Sequence, residues 1–226
     1  MIDARLLPIQ SQLLAPAAQW LHARHVRADW LTLTGLGIGV LATLALCFGQ
    51  WGLALLFILS NRLLDGLDGA VARLAGPTER GAFLDIALDF VFYALIPLGF
   101  AVQDPATNAL PAAVLLAAFI GTGSSFLAFA AIAARQNIQS YAFPTKGIYY
   151  LGGLTEGFET IAVFLAMCLW PAAFPAIAFL FAAACAVTTV LRWSHGWKVF
   201  NQSNDVLQSR PAPDDLPQKT PTPEPR

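Results

Sequence analysis

The sequence predicts an all-α membrane protein: six transmembrane helices preceded by an interfacial helix at the N-terminus. Three observations lead there. Of the 226 residues, 57% are hydrophobic and only 12% are charged, whereas a soluble domain carries about 25% charged residues. The apolar residues come in long runs, and a hydrocarbon core about 30 Å thick takes roughly 20 of them to cross as a helix. The cations, finally, with the exception of Arg62, fall in the terminal segments and in alternate connections between those runs.

Residues 1–27 form the N-terminal interfacial segment. Within it Leu6, Leu13, Leu14, Ala17 and Leu21 recur at helical spacing, and Trp20 suits a headgroup boundary. Pro8 and Pro16 are expected to break this helix into pieces. The first long apolar run begins after Ala28 and has no cleavage site, so no signal peptide is expected.

Residues 28–200 make the six-span domain, with crossings over 29–49, 51–73, 81–102, 109–134, 155–171 and 173–194. The connections around Gln50 and Pro171 are minimal, and the one holding Asp104 is short. Of the 13 Lys and Arg, Arg62 lies inside the second span. The other 12, among them Arg24, Arg27, Arg73, Arg80, Arg135, Lys146, Arg192 and Lys198, all fall on one side of a six-span bundle. The positive-inside rule puts that side and both termini in the cytoplasm of an inner membrane. Trp30, Trp51, Trp170, Trp193 and Trp197 stand near span ends, as in an aromatic belt. Residues 201–226 are rich in proline and poor in apolar groups, which predicts a disordered cytoplasmic tail.

Several function classes drop out. The formal net charge is -1 and no basic stripe is present, so nothing implies a nucleic-acid partner. Cys47, Cys168 and Cys185 sit inside apolar runs at spacings that fit neither zinc nor redox motifs, and read as buried, inert thiols.

The chemistry concentrates where the second span ends and the third begins. Asp65 and Asp68 are three apart, Asp85 and Asp89 four apart, and such neighbours share a helix face. Asn61, Asp65, Gly69, Ala72 and Arg73 form one stripe, and Gly81, Asp85 and Asp89 another. The short loop 74–80 makes the two helices antiparallel neighbours whose stripes face each other near the cytoplasmic surface. One Asp at mid-membrane costs about 2.5–3.5 kcal/mol, so four that deep cost on the order of 10 kcal/mol. Only Arg62 and Arg73 are close enough in sequence to offset them. A compact carboxylate cluster suits hard divalent cations, which take oxygen ligands. Two such ions can hold a diphosphate and stabilise attacking and leaving oxygens. Arg73 is placed to pair with phosphate oxygens. Gly66, Gly69, Ala70 and Ala72 leave room for a backbone or ligand beside the helix, although such glycines also serve plain packing. Other uses of the same residues are an ion or proton path for the aspartates and cytoplasmic anchoring for Arg80 and Arg73.

Asp65-x2-Asp68-Gly69-x2-Ala72-Arg73 followed by Gly81-x3-Asp85-x3-Asp89 resembles the signature of the CDP-alcohol phosphatidyltransferases. The resemblance implies that Asp65, Asp68, Asp85 and Asp89 ligate a pair of divalent metals, Mg²⁺ or Mn²⁺. It implies that Asp89 also takes the proton from the attacking alcohol. Gly69, Ala72, Arg73, Thr78 and Gly81 are then placed on the CDP moiety, and Asp29-Trp30-Leu31-Thr32 looks like the element that closes over the nucleotide, through Asp29 and Thr32. The loop 74–80 is one residue shorter than the family pattern usually has. The implied reaction moves a phosphatidyl group from a CDP-linked lipid to an alcohol in phospholipid biosynthesis, and CMP leaves. The resemblance further implies a homodimer and a lipid-facing entrance.

Residues 121–131 and 149–160 resemble a bacterial branch of this family without a settled alcohol substrate. Thr122, Ser124, Ser125, Glu156 and Glu159 either shape the alcohol site or make interhelical hydrogen bonds. Lys146 either binds a phosphate on the acceptor or is an ordinary cytoplasmic-loop lysine. Two rival functions stay open at this point. An intramembrane prenyltransferase also uses aspartate-rich motifs to hold metal and diphosphate, and a cation or proton transporter would use intramembrane carboxylates.

Overall fold

The computed structural model describes residues 3–136 and 153–208. Among these residues there are seven α-helices: α1 (Asp3–Ala23), α2 (Ala28–Cys47), α3 (Trp51–Ala75), α4 (Glu79–Gln103), α5 (Pro105–Arg135), α6 (Gly157–Leu169) and α7 (Phe174–Gln208), with a 3-10 turn at Pro171–Ala173 before the last. No strand occurs among the described residues. Lys146 lies outside them.

The turns are set by local chemistry. Gly49 takes φ +67° between α2 and α3, and Gly76 takes φ +93° after α3, a region that costs a side chain its Cβ clearance. Thr78 caps α4 by accepting from the Gly81 amide at 3.1 Å, and Asp104 caps α5 by accepting from the Thr107 amide at 3.3 Å. α6 opens on a reciprocal capping box between Glu156 and Glu159.

Among the described residues, four stretches are long and apolar enough to cross a membrane: α2, α4, α5, and Pro171–Asn201, which joins the 3-10 turn to most of α7. Their outer faces carry exposed Phe48, Leu110, Ile120, Leu180 and Leu191, the inverse of a water-soluble surface. The protein is therefore an all-helical, multi-pass membrane protein. The other two expected crossings differ for identifiable reasons. α3 has 25 residues but carries Arg62, Asp65, Asp68 and Arg73. α6 has 13 residues, about 20 Å of helix at 1.5 Å per residue, and is shorter than the expected 155–171.

Two expectations at the ends are corrected. α1 is one helix that runs through Pro8 and Pro16. An interior proline costs about 3 kcal/mol, and the burial of Leu14, Ala18 and Leu21 against Ala70 and Val71 of α3 offsets it. α7 continues to Gln208, past the expected domain end at 200 and into the expected disordered tail. The Phe200 ring lies 5.0 Å from that of Phe129 of α5, tilted by 39°, and Val199 joins the same cluster, so the helix is held against α5 as far as the expected boundary. Residues 209–226 lie outside the described residues.

The core is an aromatic ladder. Phe100 stacks on Phe174 at 4.4 Å and on Trp51 at 5.4 Å. Phe164 of α6 meets Phe92, Tyr93 and Phe119 at 6.2–6.3 Å. Trp51 is thus a packing residue, whereas Trp30, Trp170, Trp193 and Trp197 are exposed as an aromatic belt requires.

Candidate active site

α2 packs along both α3 and α4, while the backbones of α3 and α4 hardly touch. The expected direct pairing of the two aspartate helices is replaced by a cleft between them, with α2 as its third wall. Its lining is Thr32, Gly35 and Leu36 from α2, Asn61, Arg62, Asp65 and Asp68 from α3, and Asp85, Leu88, Asp89 and Phe92 from α4.

Glycines make this wall close enough. A Cβ on Gly39 would stand 2.7 Å from Phe92 Cδ2, and one on Gly35 would stand 3.7 Å from Leu64 Cβ. Asn61 Nδ2 donates to the Gly35 carbonyl at 2.7 Å, tying α3 to α2. On its other side α3 receives α1: a Cβ on Gly66 would meet Leu14 Cδ1 at 2.7 Å, and Ala70 packs on Ala18. Gly66 and Ala70 therefore seat a helix.

All four aspartates reach the cleft, so the two stripes expected from the spacing do converge. Asp85 is exposed, Asp65 and Asp89 are half-buried and Asp68 is buried. Asp68 Oδ2 is buried without a hydrogen-bond partner, a costly state for a carboxylate oxygen. Arg62 is the one cation in the lining. Its Nη2 donates to Asp89 Oδ1 at 2.9 Å, its Nη1 lies 3.7 Å from Asp65 Oδ2, and its Nε donates to Asn61 Oδ1 at 2.8 Å. The guanidinium lies over the Phe92 ring at 4.5 Å. Four carboxylates and one guanidinium leave a formal excess of three negative charges in the lining. Among the described residues no group of three His, Cys, Asp or Glu side chains is already gathered in ligand positions; Asp65 and Asp89 turn toward Arg62.

The residues expected on the nucleotide form two groups around this cleft. Thr32 lines it, and its hydroxyl donates to the Ala28 carbonyl at 3.1 Å. Asp29, Thr78 and Gly81 cluster at the start of α4: a Cβ on Gly81 would lie 3.1 Å from Thr78 Oγ1 and 3.7 Å from Asp29 Oδ1. Asp29 pairs with Arg27 at 3.2 Å and with Arg80, so Arg80 is a partner of the site's rim as well as a cation on its side of the bundle. Gly69, Ala72 and Arg73 continue along α3 beyond the cleft lining. Arg73 is exposed, and a Cβ on Gly69 would stand 3.4 Å from its Nη1.

Glu156 and Glu159 have a structural employment. Glu159 Oε2 accepts from the Glu156 amide at 3.1 Å, and Glu156 Oε1 accepts from the Gly153 amide at 2.9 Å. Ser124 and Ser125 donate back to the carbonyls of Gly121 and Thr122 on their own helix. The Thr122 carbonyl also accepts from Arg192 Nη1 at 2.9 Å, joining α5 to α7.

Sequence reasoning missed α2 as a wall, and with it Gly35, Leu36 and Phe92. The available signal was Gly35-x3-Gly39, the small-residue spacing that lets membrane helices approach.

Comparison with known proteins identifies the family. The chain is 52% identical over 195 residues to the Inner membrane protein YnjF of Escherichia coli, covering 86% of this chain and 95% of that one. It is 32% identical over 166 residues to an uncharacterised protein of Aquifex aeolicus, covering 73% and 80%. The fold resembles Mycobacterium tuberculosis phosphatidylinositol phosphate synthase (PgsA1) at 22% identity in two crystal structures. With CDP-DAG bound, the TM-score is 0.67 over 82% of this chain and 94% of that one. In complex with manganese and citrate, it is 0.66 over 81% and 88%. Residues 25–192 match the CDP-alcohol phosphatidyltransferase family. That match takes in the carboxylate cleft and its rim and runs on to Arg192, and the chain belongs to the CDP-alcohol phosphatidyltransferase family.

Proposed function

We propose that this transferase moves a phosphatidyl group from a CDP-linked lipid to an alcohol at the α2–α3–α4 cleft, releasing CMP. One observation carries the assignment of the site: four aspartates line a single cleft, and one buried oxygen, Asp68 Oδ2, has no hydrogen-bond partner. The all-oxygen donor set fits Mg²⁺ or Mn²⁺, and manganese accompanies the structurally similar synthase. Asp65, Asp68, Asp85 and Asp89 would hold the metal, as two ions. When bound, the ions supply charge neutralisation for the diphosphate and polarise its phosphorus.

The chain's own residues do the rest. Arg73, exposed beyond the cleft, pairs with phosphate oxygens, and Gly69 and Ala72 let the nucleotide lie against α3. Asp29, Thr32, Thr78 and Gly81 hold the cytidine end, where a side chain on Gly81 would fill the space beside Thr78. Asp89 receives the alcohol proton as the hydroxyl oxygen forms its bond to phosphorus and the bond to CMP breaks. Arg62 holds Asp89 Oδ1, so its second oxygen is the one for that proton. Catalysis of this kind rests on positioning and on charge stabilisation.

Residues 28–200 form the catalytic unit, in which α3 and α6 cross the membrane with the four longer stretches and α2–α7 make six spans. The one-sided distribution of Lys and Arg supports an orientation in which the cleft and both termini face the cytoplasm. The N-terminal helix α1 lies at the interface, with exposed Leu13 and Trp20 toward lipid, and the enzyme works as a homodimer. The family match leaves the prenyltransferase and transporter readings without support. Incubating purified protein with CDP-diacylglycerol, Mg²⁺ and a panel of alcohols tests the proposal. CMP and a new phospholipid should appear together with one alcohol; pyrophosphate release, or no CMP with any of them, would overturn it.

A further inference from the structure

Arg62 stands apart from the residues that the reaction requires. It is a charged side chain inside an apolar helix, in the middle of the candidate site, and every part of its head is held. Nε donates to Asn61 Oδ1 at 2.8 Å, and Asn61 itself is anchored to the Gly35 carbonyl at 2.7 Å. Nη2 donates to Asp89 Oδ1 at 2.9 Å, and Nη1 lies 3.7 Å from Asp65 Oδ2. The plane rests 4.5 Å from the Phe92 centroid and 5.7 Å from that of Tyr93. One guanidinium therefore joins all three walls of the cleft: α2 through Asn61, α3 through Asp65, and α4 through Asp89 and Phe92.

We propose that Arg62 is a built-in counter-ion and positioning residue, which holds the two aspartate stripes in register before metal arrives and limits how tightly the cleft binds a divalent cation. The physical need is plain. α3 and α4 hardly touch through their backbones, and four carboxylates around one cleft repel each other. A fixed positive charge between Asp65 and Asp89 replaces repulsion with attraction and needs no bound ion. The same charge repels any cation that those carboxylates hold, because it touches two of them. An arginine does this better than a lysine, since its planar fork reaches two carboxylates while stacking on a ring.

This inference rests on the metal-binding reading above, and the experiment separates the two. Wild type, Arg62→Gln and Arg62→Lys are purified in detergent and stripped with a chelator. Mn²⁺ binding is read from the electron paramagnetic resonance of the free ion, and thermal unfolding is followed with and without Mn²⁺. Arg62→Gln is expected to bind Mn²⁺ about tenfold or more tightly than wild type, because a like charge a few ångströms away is gone. Its metal-free form unfolds at lower temperature, and Mn²⁺ raises that temperature by more than in wild type. Arg62→Lys, which keeps the charge, stays within about threefold of the wild-type affinity. Unchanged or weaker binding in Arg62→Gln would overturn the proposal, as would equal tightening in both variants. If Arg62→Gln unfolds on stripping, refolding with Mn²⁺ supports the counter-ion role and failure to refold overturns it. Absence of Mn²⁺ binding in wild type would instead overturn the metal site itself.

Discussion

Gly39→Ala adds one methyl group to α2, where that helix crosses Phe92. The new Cβ would stand 2.7 Å from Phe92 Cδ2, where ordinary contact begins at 3.4 Å, so roughly 0.7 Å of movement is needed. Phe92 has little freedom to yield: it is 1% exposed, meets Phe164 edge-on at 6.3 Å and carries the Arg62 guanidinium on its face. Overpacking of this kind costs about 1–3 kcal/mol. At about 2–4 °C per kcal/mol for a chain of this size, the unfolding temperature falls roughly 4–8 °C for a mid-range cost. Gly37→Ala is the control, because a Cβ there has nothing within 4 Å. Alanine's intrinsic helix advantage over glycine, about 1 kcal/mol, is common to both variants, and their difference isolates the clash. The same displacement moves Arg62 and Asp89, and misplacing a reacting group by about 1 Å can cost about 10²-fold in rate. The assays are thermal unfolding in detergent and CMP release at saturating CDP-diacylglycerol. If Gly39→Ala and Gly37→Ala match in both, α2 is not the rigid third wall described here.

Activity should require added Mg²⁺ or Mn²⁺ and disappear on chelation; full turnover in protein shown by metal analysis to be free of ions would refute this. Asp89→Asn should lower turnover by about 10²–10⁴-fold while weakening CDP-lipid binding less, whereas Asp65→Asn should damage both. Equal losses in Asp89→Asn, measured by turnover and by CDP-lipid titration, would reduce Asp89 to a metal ligand. Glu159→Ala should destabilise the protein by about 1 kcal/mol through the loss of half of the α6 capping box, with KM for the alcohol unchanged; a raised KM at unaltered stability would return Glu159 to the acceptor site. An alkaline phosphatase reporter fused after Phe200 should be inactive in a bacterial host, as a cytoplasmic end requires, and high periplasmic activity would contradict the orientation.

The parts that spacing alone could locate are those that depend on one helix at a time. Asp65 and Asp68, or Asp85 and Asp89, share a face whatever surrounds them, and all four line the cleft. A short loop between them was legible, expected over 74–80 and observed over 76–78, where Gly76-Pro77 ends one helix and Thr78 caps the next. The third wall was not legible in the same way. Gly35-x3-Gly39 signals a close approach, but which helix it admits is decided by Asn61, Leu64 and Phe92, residues 22 to 53 positions further along the chain. The same holds for Gly66, whose neighbour is Leu14 of α1. For Glu156 and Glu159 the two readings left open, alcohol site or interhelical hydrogen bonds, passed over a local one. At three apart, ahead of an apolar run, they fit a capping box, and the membrane setting drew attention to the cost of their charge instead.

A membrane enzyme that needs four carboxylates in one place must keep them from driving their helices apart. In this fold the helices that carry the charge are not the ones that hold it together. α3 and α4 supply the aspartates, yet their closest packing is with α2, and α2 contributes glycines where they approach. Each close contact is made where a side chain is missing: Gly39 under Phe92, Gly66 under Leu14, Gly99 against Leu46. The cleft can then stay open between α3 and α4 without loss of packing, because both helices are held by their contacts with α2. Arg62 acts across the opening, and its partners Asn61 and Phe92 take part in the contacts with α2 as well. Substitutions at the glycines should therefore reach the carboxylates through Arg62 and Phe92, whereas substitutions at the exposed lipid-facing side chains, such as Leu110, Ile120 and Leu180, should leave the cleft undisturbed.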